Sequence, residues 1–205
     1  MPEVAHGLVA YRLGDPTAKR LKRLSLNPLR HIDPIGTVAL PALLALVGAP
    51  IFGFAKPVPV NPMFFRNPFR GMMQVALAGP LVNFALAAAT YVLLWGLASA
   101  WPQVLVDVFE TETLGTPAEF AVFFLVVFFI INLILGSFNL IPVPPLDGSR
   151  VLTYLLPAQG RQVMVRIERF GLFIVLGLML IGVLPRLLQP IYDGALWLLL
   201  RLLAS

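Results

Sequence analysis

Glu3 and His6 stand three positions apart in the opening stretch MPEVAHG. On a helix that spacing puts a carboxylate and an imidazole on one face. In the pattern His-Glu-x-x-His the two histidines bind zinc and the glutamate activates the metal-bound water. Glu3 and His6 fill the second and last places of that pattern, and Pro2 fills the first. A four-residue match of this kind also arises by chance on surface helices, so its meaning rests on what else the chain brings to it.

Three further polar groups sit beside or inside apolar stretches, where a polar side chain is costly and calls for a reason. Asp147 lies in FNLIPVPPLDGSR, after a long apolar run and three prolines. Pro144 and Pro145 oppose helix there, and Gly148 is read as permitting a backbone conformation closed to most residues. Asp147 is thus expected on irregular backbone near membrane depth, tolerated only where it lines a cavity or is buried in protein. The plainer reading is a helix-stop turn with Asp147 as a solvated cap. Asn83, in AGPLVNFALA, and Asn139 are candidates too, though an amide in a span often only bonds a neighbouring helix. His31, in LNPLRHIDP, reads as a loop histidine rather than a ligand.

The elements that must position these groups are apolar. The 205 residues are 59% hydrophobic and 12% charged, with a mean hydropathy of +0.87. That composition is too poor in polar residues to cover a soluble core, and it indicates an integral membrane protein. Residues 34–55, 71–106, 120–146 and 170–185 carry no Asp, Glu, Lys, Arg or His. A crossing helix needs about 20 apolar residues, so the two middle gaps suffice and the outer two are borderline. Residues 119–141 and 170–188 are each expected to form a span, and Pro80 to start or kink the helix within 71–100. The tail, with Asp193 and Arg201 around Trp197, is expected as a short span or an interfacial helix. The fold expected is all-α and polytopic, a bundle of about four to six transmembrane or re-entrant helices with irregular Pro-rich loops. One membrane-embedded domain covers residues 1–205, with its core at 3–185. Cysteine is absent, which excludes disulfides and thiolate ligands. The first residues also lack the basic and long apolar regions of a signal peptide.

Charge orients the spans. Residues 12–36 carry six basic side chains, residues 55–71 carry Lys56, Arg66 and Arg70, and residues 142–169 carry four arginines. Residues 101–119 carry none, but hold Asp107, Glu110, Glu112 and Glu119. Lys and Arg accumulate on the cytoplasmic side, which places 101–119 outside and the basic loops inside. The same bias accounts for the high pI without any nucleic-acid partner. Residues 37–54, with basic loops on both flanks, are then expected to be a broken or re-entrant element interrupted by Pro41, Gly48 and Pro50, the alternative being a true span.

The segments EVAHGLVAYRLGDPTAKRLKRLSLNPLRHIDPIGT, AKPVPVNP, ALAGPLVN and FNLIPVPPLDGSR occur in the order found in the site-2 protease family. The chain resembles the small bacterial intramembrane zinc metalloproteases of that family, the type without a PDZ domain, over residues 3–185. The resemblance implies hydrolysis of peptide bonds in or near transmembrane segments of a protein substrate, within a bacterial cytoplasmic membrane. It implies one zinc ion, with His6 as the second histidine ligand, Asp147 as the third ligand and Glu3 as the general base. It implies that Asn83 and Asn139 bond the substrate backbone or the developing oxyanion.

The departure from the family lies at the start of the chain. Pro2 replaces the first histidine, and residues 1–13 reach only about 20 Å as a helix. His6 and Asp147 alone make a two-ligand site, for which weak or no zinc-dependent proteolysis is expected. Two readings account for it: a sequence that begins late or is damaged, and a degenerate relative that binds membrane segments without cutting them. A transporter or channel is disfavoured, because the ionisable candidates converge on one site rather than forming a path.

Overall fold

A computed structural model describes residues 2–25, 27, 33–48, 58–110 and 115–203. His31 lies outside the described residues. The described chain is helical, with no strand among these residues. In order, its helices are α1 (Pro2–Arg12), α2 (Thr17–Arg20), α3 (Leu40–Leu46), α4 (Pro68–Ala100), α5 (Pro102–Glu110), α6 (Pro117–Asn139), α7 (Asp147–Leu155), α8 (Ala158–Glu168), α9 (Gly171–Leu180) and α10 (Val183–Leu203). A π-helix, Pro34–Ala39, leads into α3, and a 3₁₀ turn, Pro62–Phe64, precedes α4. The chain divides into two compact units: Met1–Pro80 with Asn139–Pro185, and Leu81–Phe138 with Arg186–Ser205.

In the first unit, α1 has Glu3 in its first turn and Arg12 in its last, each complementing the helix dipole at its end. Its buried face is Val4, Gly7 and Ala10. A Cβ on Gly7 would come within 2.5 Å of Leu24 Cδ2 and 3.1 Å of Val58 Cγ1, so the bare position is what lets both segments close on the helix. Ala10 packs with Phe65 and Val75. Beyond α1 the chain turns back, and Asp15 becomes wholly buried. Its Oδ1 accepts the Thr17 N–H at 2.9 Å and the Thr17 hydroxyl, and its Oδ2 accepts the Asn61 N–H at 2.6 Å. Glu3 Oε2 accepts the Val58 N–H at 2.9 Å. Two carboxylates therefore pin residues 58–61, one at each end.

Asp33 caps the π-helix, its Oδ1 accepting the N–H groups of Ile35 at 3.0 Å and Gly36 at 2.8 Å. Pro41 falls in the first turn of α3, where the π-helix passes into α-helix. Together the six π-helical and seven α-helical residues reach about 20 Å, short of the ~30 Å hydrocarbon core. Gly48, at φ +68°, turns the chain after them. Residues 49–54 of this element lie outside the described residues.

The second unit is built around Ala87, Leu94 and Ala98 of α4, Leu105 of α5, Val122, Val126 and Phe129 of α6, and Ala195, Leu199 and Leu202 of α10. The rings of Tyr91 and Phe129 lie 5.6 Å apart, within the range that favours aromatic pairs. Residues 101–119, expected as an exterior loop, instead contain α5. The apolar residues Val104, Leu105, Val108 and Phe109 recur at helical spacing and pack on the core. Thr116 and Glu119 form a capping box at the start of α6, the Glu119 N–H donating to Thr116 Oγ1 at 3.3 Å and Thr116 Oγ1 donating to Glu119 Oε1 at 2.8 Å.

Helices α4 and α6 are long and apolar enough to cross a membrane, and α9 with α10 would make a third span if the broken pair is counted as one. The described helices thus give two or three spans, and the expected count of about four to six transmembrane or re-entrant helices is not confirmed among them. The single span expected at 170–188 is divided by Gly182, which sits at φ +77°. Its N–H bonds the Met179 carbonyl at 3.1 Å, a glycine helix stop, and α10 then takes up the described part of the tail, to Leu203. Pro80 does not start α4, which runs on both sides of it.

Burial pushes the Asp15 carboxyl up, but the Thr17 hydroxyl, the Asn61 and Thr17 N–H groups and the Arg20 charge outweigh it and hold its pKa below the usual value. A depressed carboxyl pKa stabilises the fold above the unfolded value near 3.9 and ceases to do so as pH falls through the folded value. Asp15→Asn turns one acceptor oxygen into a donor facing an N–H, and should cost about 1–3 kcal/mol at neutral pH. Thermal unfolding in detergent should show this deficit at pH 7 and show it shrinking below about pH 4.

Candidate functional site

The site is built from α1, the part of α4 up to Pro80 and the start of α7, all in the first unit. His6 Nδ1 lies 2.7 Å from the carbonyl oxygen of Val75 in α4. A carbonyl can only accept, so Nδ1 carries the proton; two lone pairs allow that oxygen to take a bond from outside the helix. This fixes the tautomer and leaves Nε2 as the free nitrogen. Nε2 faces Asp147 Oδ2 at 3.4 Å, with both side chains mostly buried. A nitrogen lone pair and a carboxylate oxygen repel at that distance unless a proton or a cation lies between them.

Close approach at this point depends on Gly79. A Cβ there would stand 2.5 Å from His6 Cε1, 2.6 Å from Nε2 and 3.1 Å from Asp147 Oδ2. Gly79 follows Val75 by one helical turn, so the bond acceptor and the bare position share one face of α4.

Asp147 does not sit on irregular backbone; it is the first residue of α7. Nor does Gly148 adopt a left-handed conformation, since the positive-φ glycines are Gly14, Gly48 and Gly182. Its role is steric. A Cβ on Gly148 would come within 2.1 Å of the Leu140 carbonyl oxygen and 2.6 Å of that of Ile141, so only glycine lets α7 begin against the turn at Leu140 and Ile141. Gly171 does the same from α9, where a Cβ would meet the backbone of Pro144 and Pro145 at 2.8 Å. The Ser149 hydroxyl donates to Leu146 O at 2.7 Å. Arg150 makes a two-point pair with Glu168, Nη1 donating to Oε2 at 3.0 Å and Nη2 to Oε1, which ties α7 to α8.

The pair suits two corners of a zinc site. Two ligands at about 2.0–2.2 Å from a tetrahedral ion stand about 3.3–3.6 Å apart, and His6 Nε2 and Asp147 Oδ2 are 3.4 Å apart. The third corner is not filled: among the described residues no group of three or more His, Cys, Asp or Glu side chains could hold a metal. Pro2, in the first turn of the same helix, offers no donor atom. Glu3 shares the His6 face of α1 with its carboxylate on the Val58 N–H.

Asn139 and Asn83 are the remaining candidates. Asn139 closes α6 and is half-buried at the head of the Pro-rich turn. Asn83 belongs to the second unit, is 1% exposed, and its Nδ2 has no hydrogen-bond partner among the described residues. Buried donors are nearly always paired, so this amide calls for a partner.

Sequence reasoning missed Gly79 and Gly171 as site residues, along with the Val75 carbonyl. The adjacent small pair Ala78–Gly79 before Pro80 was a usable sign of close helix approach. A backbone carbonyl carries no sequence signal at all.

Fold and site together define a helical chain with membrane-length helices and a buried histidine–carboxylate pair beside a glutamate. Residues 3–182 match the family model of Peptidase family M50, and the chain belongs to that family, the site-2 proteases. The Bacillus subtilis (strain 168) protein named "Putative zinc metalloprotease YwhC" is 37% identical over 194 residues, 95% of this chain and 81% of its own length. The Mycolicibacterium smegmatis protein named "Putative zinc metalloprotease Rip2" is 29% identical over 189 residues, 90% of this chain and 64% of its own length. A zinc metalloprotease of Methanocaldococcus jannaschii is 33% identical over 94 residues, 46% of this chain and 22% of its own length. No solved structure matches.

The glycine contacts predict a sharp contrast. Gly148→Ala and Gly171→Ala force backbone apart and should destabilise by about 1–3 kcal/mol or more. Gly177→Ala, with nothing within 4 Å of its Cβ position, should be neutral or gain up to about 1 kcal/mol from helix propensity. Melting temperatures of the three variants in one detergent check the order.

Proposed function

We propose that this chain is the membrane-embedded domain of an intramembrane zinc metallopeptidase, acting on peptide bonds in or near transmembrane segments of proteins in a bacterial cytoplasmic membrane. The observation that carries the proposal is the 3.4 Å separation of His6 Nε2 and Asp147 Oδ2 on a fixed Nδ1–H tautomer, in a member of family M50. His6 and Asp147 are the residues that would hold one zinc ion. When bound, zinc supplies a water with a pKa near neutrality and polarises the scissile carbonyl.

The chain's own groups do the rest. Glu3 is the base that takes the proton of the attacking water; Val58 occupies its Oε2, which leaves Oε1 for that task. Asn83 and Asn139 are the amides that bond the substrate backbone or oxyanion, and the unpartnered Nδ2 of Asn83 supports this for Asn83. A helical substrate must unwind first, because its carbonyls are engaged within its own helix.

Pro2 sets the level of activity. With two protein ligands the chain as written holds zinc weakly and cuts slowly. The second reading, a non-catalytic member that binds membrane segments, is supported by the same residue. Zinc content of the purified protein, by mass spectrometry of the metal, should be well below one per chain. Pro2→His should raise zinc affinity at least as much as the roughly 10–100-fold attached to outer-shell groups, and raise cleavage of a model transmembrane substrate with it. One zinc per chain in the unaltered protein would sink the two-ligand account. A rise in zinc without any rise in cleavage would favour the binding protein.

A further inference from the structure

A recess in the first unit takes no part in the proposed peptidase. Its volume is about 220 Å³, and it is lined by Leu13, Phe65 and Gly71 together with Arg66, Arg70 and Gln74. Sites that take a whole small molecule run to roughly 300–1,000 Å³, so this one suits a headgroup-sized ligand.

Its charge is one-sided. Arg66 and Arg70 are both exposed, and among the described residues neither guanidinium is in an ion pair. Arg161, whose guanidinium lies 4.7 Å from the centre of the neighbouring Phe69 ring, is already held by the Leu156 and Tyr154 carbonyls and leaves the recess to Arg66 and Arg70. Like charges gathered without a counter-charge repel one another, and an anion relieves that repulsion. Paired N–H donors on a guanidinium match two oxygens of one phosphate.

Position decides which anion. The recess lies at the N-terminal end of α4, a helix of membrane-crossing length. Beside it Met63, Phe64 and Phe69 are exposed to 84%, 46% and 40%. Cations next to exposed aromatic and apolar side chains at the end of a span mark the membrane interface, where apolar groups meet acyl chains and cations meet headgroups. A soluble phosphate needs no such apolar flank. We propose that the Arg66–Arg70 recess binds the phosphodiester of an anionic phospholipid, with Leu13 and Phe65 against the lipid's apolar part and the Gln74 amide toward its polar headgroup.

The test uses the full chain in a neutral detergent, titrated separately with dioleoylphosphatidylglycerol, dioleoylphosphatidylcholine and inorganic phosphate, with melting temperature as the readout. Phosphatidylglycerol should raise the melting temperature, and the other two should not at equal concentration. The double variant Arg66→Gln/Arg70→Gln should need at least tenfold more phosphatidylglycerol for half the shift, while Arg186→Gln, a basic residue of the other unit, behaves as the parent. Native mass spectrometry should find phosphatidylglycerol retained by the parent and lost from the double variant. An unchanged response of the double variant overturns the proposal, as does an equal shift from phosphatidylcholine. An equal shift from inorganic phosphate overturns the lipid as the source of the anion.

Discussion

One hydrogen bond, from His6 Nδ1 to the Val75 carbonyl, sets the geometry of the candidate site. It selects the tautomer, turns Nε2 toward Asp147, and brings α1 against α4. The other features of the site are conditions for that bond. Gly79 must be bare or the ring cannot approach. The Pro-rich turn must fold tightly enough to present Asp147 at the start of a helix, which the close contacts of Gly148 and Gly171 permit. A pair held this closely in a mostly buried place favours whatever positive species comes between its members, because the low local dielectric strengthens the interaction.

A second level of organisation comes from carboxylates. Asp15 and Glu3 hold residues 58–61 along the first helix through backbone N–H groups. Asp33 fixes the start of the π-helix in the same way, and Glu119 the start of α6. Few acidic residues are present, 10 in 205, and several of them accept backbone donors rather than pair with cations. The first N–H groups of a helix have no partner within it, which is a sound reason for a chain to place carboxylates at element ends.

The sequence made the two membrane-length helices and the meeting of His6 with Asp147 readable, for different reasons. Long uncharged gaps report spans directly, as with α6. The pairing of His6 and Asp147, 141 positions apart (147 − 6), came from the ordered motifs of a family, since no periodicity links such distant residues. Readings failed where one residue type serves two purposes. Gly148 looked like a conformational glycine and is a steric one. Gly182, inside an apolar run, gave no sign that it would divide a span. The helix within 101–119 was hidden because its acidic residues outweighed, in a charge count, the stripe formed by Val104, Leu105, Val108 and Phe109. Backbone acceptors such as Val75 O were beyond reach, because every residue has one.

Glu3 joins two tasks in one side chain. Its Oε2 holds the Val58 N–H, so the group proposed as the base is also the peg that sets the register of the extended segment beside it. The two usual ways of silencing such a residue are therefore different experiments. A glutamine keeps a carbonyl oxygen for Val58 and removes only the basicity. An alanine also frees the segment, leaves a backbone donor without its acceptor, and confounds loss of chemistry with loss of shape.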